Sequence, residues 1–179
     1  MENPFPLYAE YNSWMNEKLY TTAGELSPTE LRENRGAFFG SIFGTLNHLL
    51  VADRIWLQRF AEHPNQFPAL QWIRQLPKPT ALDEVLFDDF SSMKEHRKKM
   101  DATIQDWIAS LSESDLNHVL QYSSVKGIPA AKPLRLVLLH FFNHQTHHRG
   151  QATTLLSQMG KDVGATDLLL LIPNQNGGR

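Results

Sequence analysis

The chain of 179 residues contains no cysteine. That excludes disulfides, thiolate metal ligands and a cysteine nucleophile, so any sulfur chemistry must arrive on a small molecule. No apolar run approaches the roughly 18 residues of a membrane span; the apolar stretch DLLLLIP at 167–173 is far too short. Neither sign of charge dominates. The 17 Lys and Arg against 19 Asp and Glu give a formal net charge of −2, and no electrostatic reason to expect a nucleic-acid partner. The opening MENPFPLYAEYNSW lacks a basic stretch followed by an apolar core, which argues against a signal peptide. No GxSxG nucleophile elbow occurs, nor the paired Glu-x-x-His motifs of a di-iron bundle. Internal repeats and low-complexity blocks are also missing. The expectation is one soluble, cytoplasmic domain over 1–173, long enough to bury a substantial core, with a disordered tail at 174–179.

What is present reads as helix almost throughout. Leu7, Tyr11, Trp14, Met15 and Leu19 recur at three- and four-residue steps, with Gly24 placed to end that helix. Ser27-Pro28-Thr29-Glu30 has the form of a capping box with proline at the first helical position, opening a short helix. A second long helix is expected over about 37–61, carrying Phe38, Ile42, Leu46, Leu49, Leu50, Ile55 and Trp56 on its apolar side. Residues 63–79 hold four prolines and read as a connecting loop. Thr80-Ala81-Leu82-Asp83-Glu84 looks like the start of a third long helix through Leu82, Leu86, Phe90, Met93, Met100, Ile104 and Ile108. Ser112 can cap one further turn, and Lys126-Gly127 reads as the turn of a small hairpin. Pro133 opens a last long helix through Leu134, Val137, Leu138, Phe141, Leu155 and Leu156, ended by Gly160. Four long amphipathic helices in one small domain predict an all-α fold, a four-helix bundle with a short additional helix and irregular connecting loops.

Half of the eight histidines fall in the stretch HFFNHQTHH, 140–148. On a helix, residues four apart lie one above the other and drift by about 40° per step. His140, His144 and His148 therefore share a stripe, and His147 lies about 100° away from His148. An i, i+4 histidine pair can reach one metal ion, yet two ligands hold a metal poorly. His48, flanked by leucines in GTLNHLLVADRIW, should face the bundle interior and is the third candidate. A buried imidazole needs a partner, which a shared metal ion would supply. The competing reading is a core histidine with a local hydrogen bond and a histidine pair on an exposed face.

Three segments then carry a resemblance: YNSWMNEKL at the start, LNHLLVADRIWLQRF in the middle and NHQTHHRGQ near the end. They resemble, in order, the DinB/YfiT-like family of metal-dependent proteins, which is distinct from the translesion polymerase sharing the name. NHxxHHRGQ is the more specific signature and YNxW the weaker. The resemblance covers most of the chain. It implies a four-helix bundle, a suspected homodimer, and a divalent metal held by His48, His144 and His148. Zinc or nickel is expected first, with iron or manganese next, since nitrogen ligands do not choose sharply among them. Relatives include thiol-dependent S-transferases and a thiol-dependent isomerase. The implied function is thus a metal-dependent enzyme acting on a small electrophile with a low-molecular-weight thiol. The alternatives are a metal-dependent hydrolase and a non-catalytic, metal-stabilised dimeric binding protein.

Three imidazoles leave a divalent ion its full charge and an open position, as catalytic rather than structural sites do. The metalloprotease reading fails because Gln145 stands where HExxH has its general base. Around the site, His140 is read as a non-ligand. Asp53, five residues from His48, is read as a solvated or capping charge, and Arg149 as an ion pair rather than an anchor for an anionic substrate. Asn143 and His147 should tie the helix to its neighbours, and Gly150 should admit a close backbone. Tyr11 and Trp14 are read as core. Phe38, Phe39, Phe43 and Trp72 could build a dimer face. The basic KEHRKK at 94–99 reads as a solvated helix face rather than a nucleic-acid contact.

Overall fold

The structure is a computed structural model, and it describes residues 3–174. The tail expected to be disordered lies outside the described residues apart from Asn174. Four long helices form the bundle: α1 (Phe5–Ala23), α3 (Ile42–Phe60), α5 (Phe90–Ala109) and α7 (Leu134–Gln158). Three short ones fill the connections: α2 (Pro28–Arg32), α4 (Gln71–Arg74) and α6 (Glu113–Leu116). A hairpin of β1 (Val119–Ser123) and β2 (Pro129–Pro133) precedes α7. The all-α bundle expected from the spacing is the fold observed. Among the described residues no helix is long and apolar enough to cross a membrane.

α1 packs on α5 and α7, and α7 packs in turn on α3. The core is apolar at one end of the bundle, where Phe60 stacks on Trp107 with ring centres 4.7 Å apart and meets Phe141 edge-on at 5.7 Å. All three rings are buried, and each removes enough apolar surface from water to contribute about 2–3 kcal/mol. α3 is the innermost helix: every residue from Thr45 to Arg54 is buried. This places His48 inside, as its leucine flanks implied.

The local signals resolve case by case. Ser27 and Glu30 form the expected capping box, and Ser112 with Asp115 forms another at α6. β1 and β2 pair antiparallel with Tyr122 opposite Ala130, and Gly127 takes the left-handed conformation that the turn demands (φ 75°). Gly160 ends α7 with φ 72°, while its N–H and that of Lys161 bond back to Ser157 and Leu156. Gly24 also follows its helix but stays right-handed (φ −67°).

Two expected helix starts are wrong. The helix expected from residue 37 begins at Ile42, capped by the Ser41 hydroxyl on the Gly44 N–H (3.0 Å). Gly36 and Gly40 both adopt positive φ, and Ala37 pairs with Gly40 to close a tight turn instead. The helix expected from Thr80 begins at Phe90, capped by Asp89 on the Ser92 N–H (2.8 Å). Glu84 does fold back on Thr80, its carboxylate accepting from the backbone N–H and hydroxyl at 2.6 and 2.7 Å. The helix goes no further because α3 claims the backbone of this segment: Asn47 donates to Glu84 O (2.7 Å) and accepts from Leu86 N–H (2.9 Å). Residues 80–88 thus form a strap over α3. The loop 63–79 also contains α4 and a preceding single turn, Pro68–Leu70. Removing the Asp89 cap should be local: Asp89→Ala is expected to lower unfolding free energy by about 1 kcal/mol in urea titration, with an unchanged m value.

Candidate metal centre

His48 comes from the middle of α3, and His144 and His148 from successive turns of α7. Their ligand nitrogens all lie within 4.8 Å of one another, and this is the single such histidine or carboxylate group found among the described residues. His144 Nε2 and His148 Nε2 are 3.1 Å apart. The ring of His48 lies 4.5 Å from that of His148 and 5.4 Å from that of His144. The second nitrogens are held. Nδ1 of His48 donates to the carbonyl of Leu82 in the strap (2.8 Å), and Nδ1 of His148 donates to Gln151 Oε1 (2.7 Å). A proton fixed on Nδ1 leaves the Nε2 lone pair free, the tautomer that metal-binding histidines need. The residues present therefore fit a divalent ion, and the three histidines could hold one.

All three imidazoles are held neutral. Burial pushes His144 down to about 3, helped by the neighbouring His148 and His48. Burial also lowers His48 and His148, against the opposing pull of their hydrogen bonds to Leu82 and Gln151. No carboxylate belongs to the cluster. Phe39, carried by the glycine-flanked turn before α3, stacks on His48 with ring centres 3.8 Å apart and meets His148 edge-on at 5.6 Å. It shields one side of the cluster from water. Sequence spacing alone does not bring Phe39 here; the signal lies in the two glycines of GAFFG, 36–40, which cannot be read as helix once both need positive φ.

The other residues singled out from sequence sort differently. His140 is exposed and outside the cluster, its ring 6.0 Å from that of His144 and 5.2 Å from Trp56. Asp53 is not a solvated charge: it is 1% exposed and paired with Arg97 at 2.5 Å. It also accepts from the side-chain amide of Gln145, next to His144. Arg149 is buried as well and, among the described residues, makes no ion pair; it donates to Asn12 on α1. Burial lowers it to about 10. Asn143 and His147 are exposed and tie α7 to nothing beyond Gln151, 3.3 Å from His147 Nε2 on the same helix. Gly150 faces solvent: a methyl group in place of its hydrogen would meet no atom within 4 Å, and nothing in the structure explains a glycine there. Tyr11 is core, its hydroxyl donating to Thr166 O (2.6 Å), while Trp14 is half-buried under Lys18. Of the four aromatics assigned to a dimer face, Phe43 is buried, Phe39 covers His48, and Trp72 donates to Thr103 Oγ1 (2.9 Å). Phe38 alone of the four stands free, 87% exposed.

The basic stretch 94–99 departs from a solvated face at its centre. Arg97 points inward, 2% exposed, between Asp53 and Asp101 (2.7 Å). Asn12 and Asn16 of α1 donate to Asp101 at 3.1 and 2.9 Å. All four long helices therefore meet in one buried polar layer beside the histidines. Burial raises Asp101 to about 6 and also raises Asp53, both against the opposing effect of Arg97. Burial would lower Arg97, but Asp101 and Asp53 outweigh it and hold the guanidinium more firmly charged than usual.

The bundle and the histidine cluster define a helical protein equipped to hold one metal ion between two helices. The profile of the DinB family matches residues 1–177, and the chain belongs to that family. It is similar to Protein DinB of Bacillus subtilis (strain 168), at 28% identity over 166 residues, covering 91% of this chain and 90% of the relative. No solved structure matches the chain significantly.

Proposed function

We propose that the chain is a metal-dependent enzyme of the DinB family, with His48, His144 and His148 holding zinc or nickel, acting as a thiol-dependent S-transferase on a small electrophile. The observation that carries this is the fixing of Nδ1 on His48 and His148, which pre-sets two imidazoles for one ion. When bound, a divalent ion on three neutral imidazoles supplies a positive centre that favours the thiolate form of a thiol or the hydroxide form of a water. The chain's own residues do the rest. The Leu82 carbonyl and Gln151 orient the rings, and Phe39 keeps water from one flank. The absence of a carboxylate in the cluster leaves the ion's charge undiminished. With no cysteine in the sequence, the sulfur belongs to a cosubstrate. With Gln145 turned away to Asp53, no side chain of the cluster serves as the carboxylate base that a hydrolase of the HExxH kind uses.

The test is metal content of the untagged protein beside His48→Ala and His144→Ala, followed by a screen of small thiols against electrophiles. The expected result is near one metal per parent chain and a loss of at least tenfold in both variants. A parent that binds neither zinc nor nickel after reloading would sink the reading. A metal-loaded parent that cleaves esters or amides without thiol would favour the hydrolase.

A further inference from the structure

α3 and α7 pack against each other, and beyond the histidine cluster a groove lies beside Trp56 of α3 and His140 of α7. Moving along α3 from His48, Trp56 lies two turns on; moving back along α7 from His148, His144 and His140 follow at one-turn steps. His140 sits about 6 Å along the axis from His144, at 1.5 Å per residue. Its ring meets Trp56 at 5.2 Å, and Trp56 meets Tyr122 of β1 at 5.3 Å. Here the groove opens into a pocket of about 440 Å³ lined by Trp56, Tyr122, Lys132, Val137, His140 and Leu136, the last 58% exposed. That volume suits a small molecule. The wall is aromatic and aliphatic, and among the described residues its one charged group is Lys132 and no acid lines it. The aromatic wall is braced from behind: the Arg59 guanidinium lies 4.5 Å from Trp56 and 4.8 Å from Tyr122, and is tied to the Ser123 carbonyl (3.0 Å). Glu62 shares with Arg59 a separate cavity on the far side of Tyr122.

We propose that this groove binds the body of a small aromatic or apolar carboxylate, with its ring packed against the wall of Trp56, Tyr122 and Leu136 and its anionic end on Lys132. His140, whose ring is 6.0 Å from that of His144, forms the side of the pocket nearest the histidine cluster. The anion anchor is Lys132, not Arg149, which is buried and engaged with Asn12. As the site of the electrophile the groove rests on the metal-centre reading, but its binding does not.

The probes are 2-naphthoate and its uncharged counterpart 2-naphthamide, titrated by calorimetry into the full-length parent, Trp56→Ala, Lys132→Gln and His144→Ala. Lys132→Gln should weaken naphthoate about fivefold to tenfold and leave naphthamide within twofold. Trp56→Ala should weaken both at least tenfold. His144→Ala should bind both as the parent does. Naphthoate binding that is insensitive to Trp56→Ala and Lys132→Gln overturns the groove, and if it is also lost in His144→Ala the carboxylate sits on the histidine site instead. Loss of metal in His144→Ala with naphthoate binding kept leaves the groove standing whatever the fate of the enzymatic reading. Circular dichroism of Trp56→Ala guards against misfolding, and Leu136→Asp, a surface change, should reproduce the loss if Trp56→Ala is unfolded.

Discussion

Replacing Arg97 by methionine is expected to cost about 3–5 kcal/mol of unfolding free energy, the range for removing one partner from a buried ion pair. Total stability for a domain of this kind is on the order of 5–15 kcal/mol, so the variant should sit near the edge of folding. The reason is desolvation rather than lost attraction. Asp53 and Asp101 are 1% and 5% exposed, and the guanidinium between them is 2% exposed. Without it, two buried carboxylates face each other and must take up protons or unfold the bundle. Arg149 lies in the same layer, but its guanidinium is spent on Asn12 and Thr146. The double variant Arg97→Met, Asp53→Asn should recover more than half of the loss. It removes one charge of each sign, and asparagine still accepts from Gln145. Urea titration of the parent and both variants is the measurement. A single variant costing less than 1 kcal/mol, or a double variant no better than the single, would show that the layer is hydrated and not a dry charge pair.

This layer is also where the sequence is least legible. The helices are readable because apolar periodicity reports burial directly: the spacing of α1 and α7 and the capping signals at Ser27 and Ser112 all correspond to observed elements. The histidine cluster is readable because i, i+4 spacing on one helix and a histidine among leucines on another both survive any reasonable packing. Arg97 is not, because a buried arginine inside KEHRKK has the same letters as a solvated face. Standing between Met93 and Met100, it lies close to the apolar seam of α5, but only Asp53 and Asp101 make burial there tolerable. The strap at 80–88 escapes for a related reason. Thr80 and Glu84 make the local contact of a helix start, and the contest is decided by Asn47 and His48, more than thirty residues upstream. Phe39 escapes because the turn that carries it depends on two glycine conformations, not on side-chain periodicity.

Metal and acid should act on stability through the same three rings. His48, His144 and His148 are neutral in the folded chain, with His144 depressed to about 3 and the other two lowered, in each case chiefly by burial. In the unfolded chain a histidine titrates at about 6.5. Below that the unfolded state binds more protons, so this contribution is complete above pH 6.5 and is lost as pH falls toward the folded values. Each ring contributes a slope of at most ~1.4 kcal/mol per pH unit between its unfolded and folded values. Asp101 opposes this. Its raised value, about 6, makes its contribution complete below the ordinary carboxylate range and lost as pH rises through 6. Asp53 opposes it in the same sense. The pH dependence of the metal-free protein is therefore a partial cancellation and reports poorly on the histidines. The difference between metal-loaded and chelated protein is the cleaner measurement, because the carboxylates are common to both. At a thousandfold excess over its dissociation constant, a metal adds about 4 kcal/mol, or a Tm rise of roughly 8–16 °C at this chain length. Protons compete for the same nitrogens. The zinc-loaded protein is thus expected to melt about 10 °C above the chelated form at pH 7.5, and the gap should persist below pH 6.5 and close only as pH falls toward the folded values, about 3 for His144. His48→Ala and His144→Ala should show no gap at any pH. A gap that survives His144→Ala would place the metal on ligands elsewhere and detach it from the histidines.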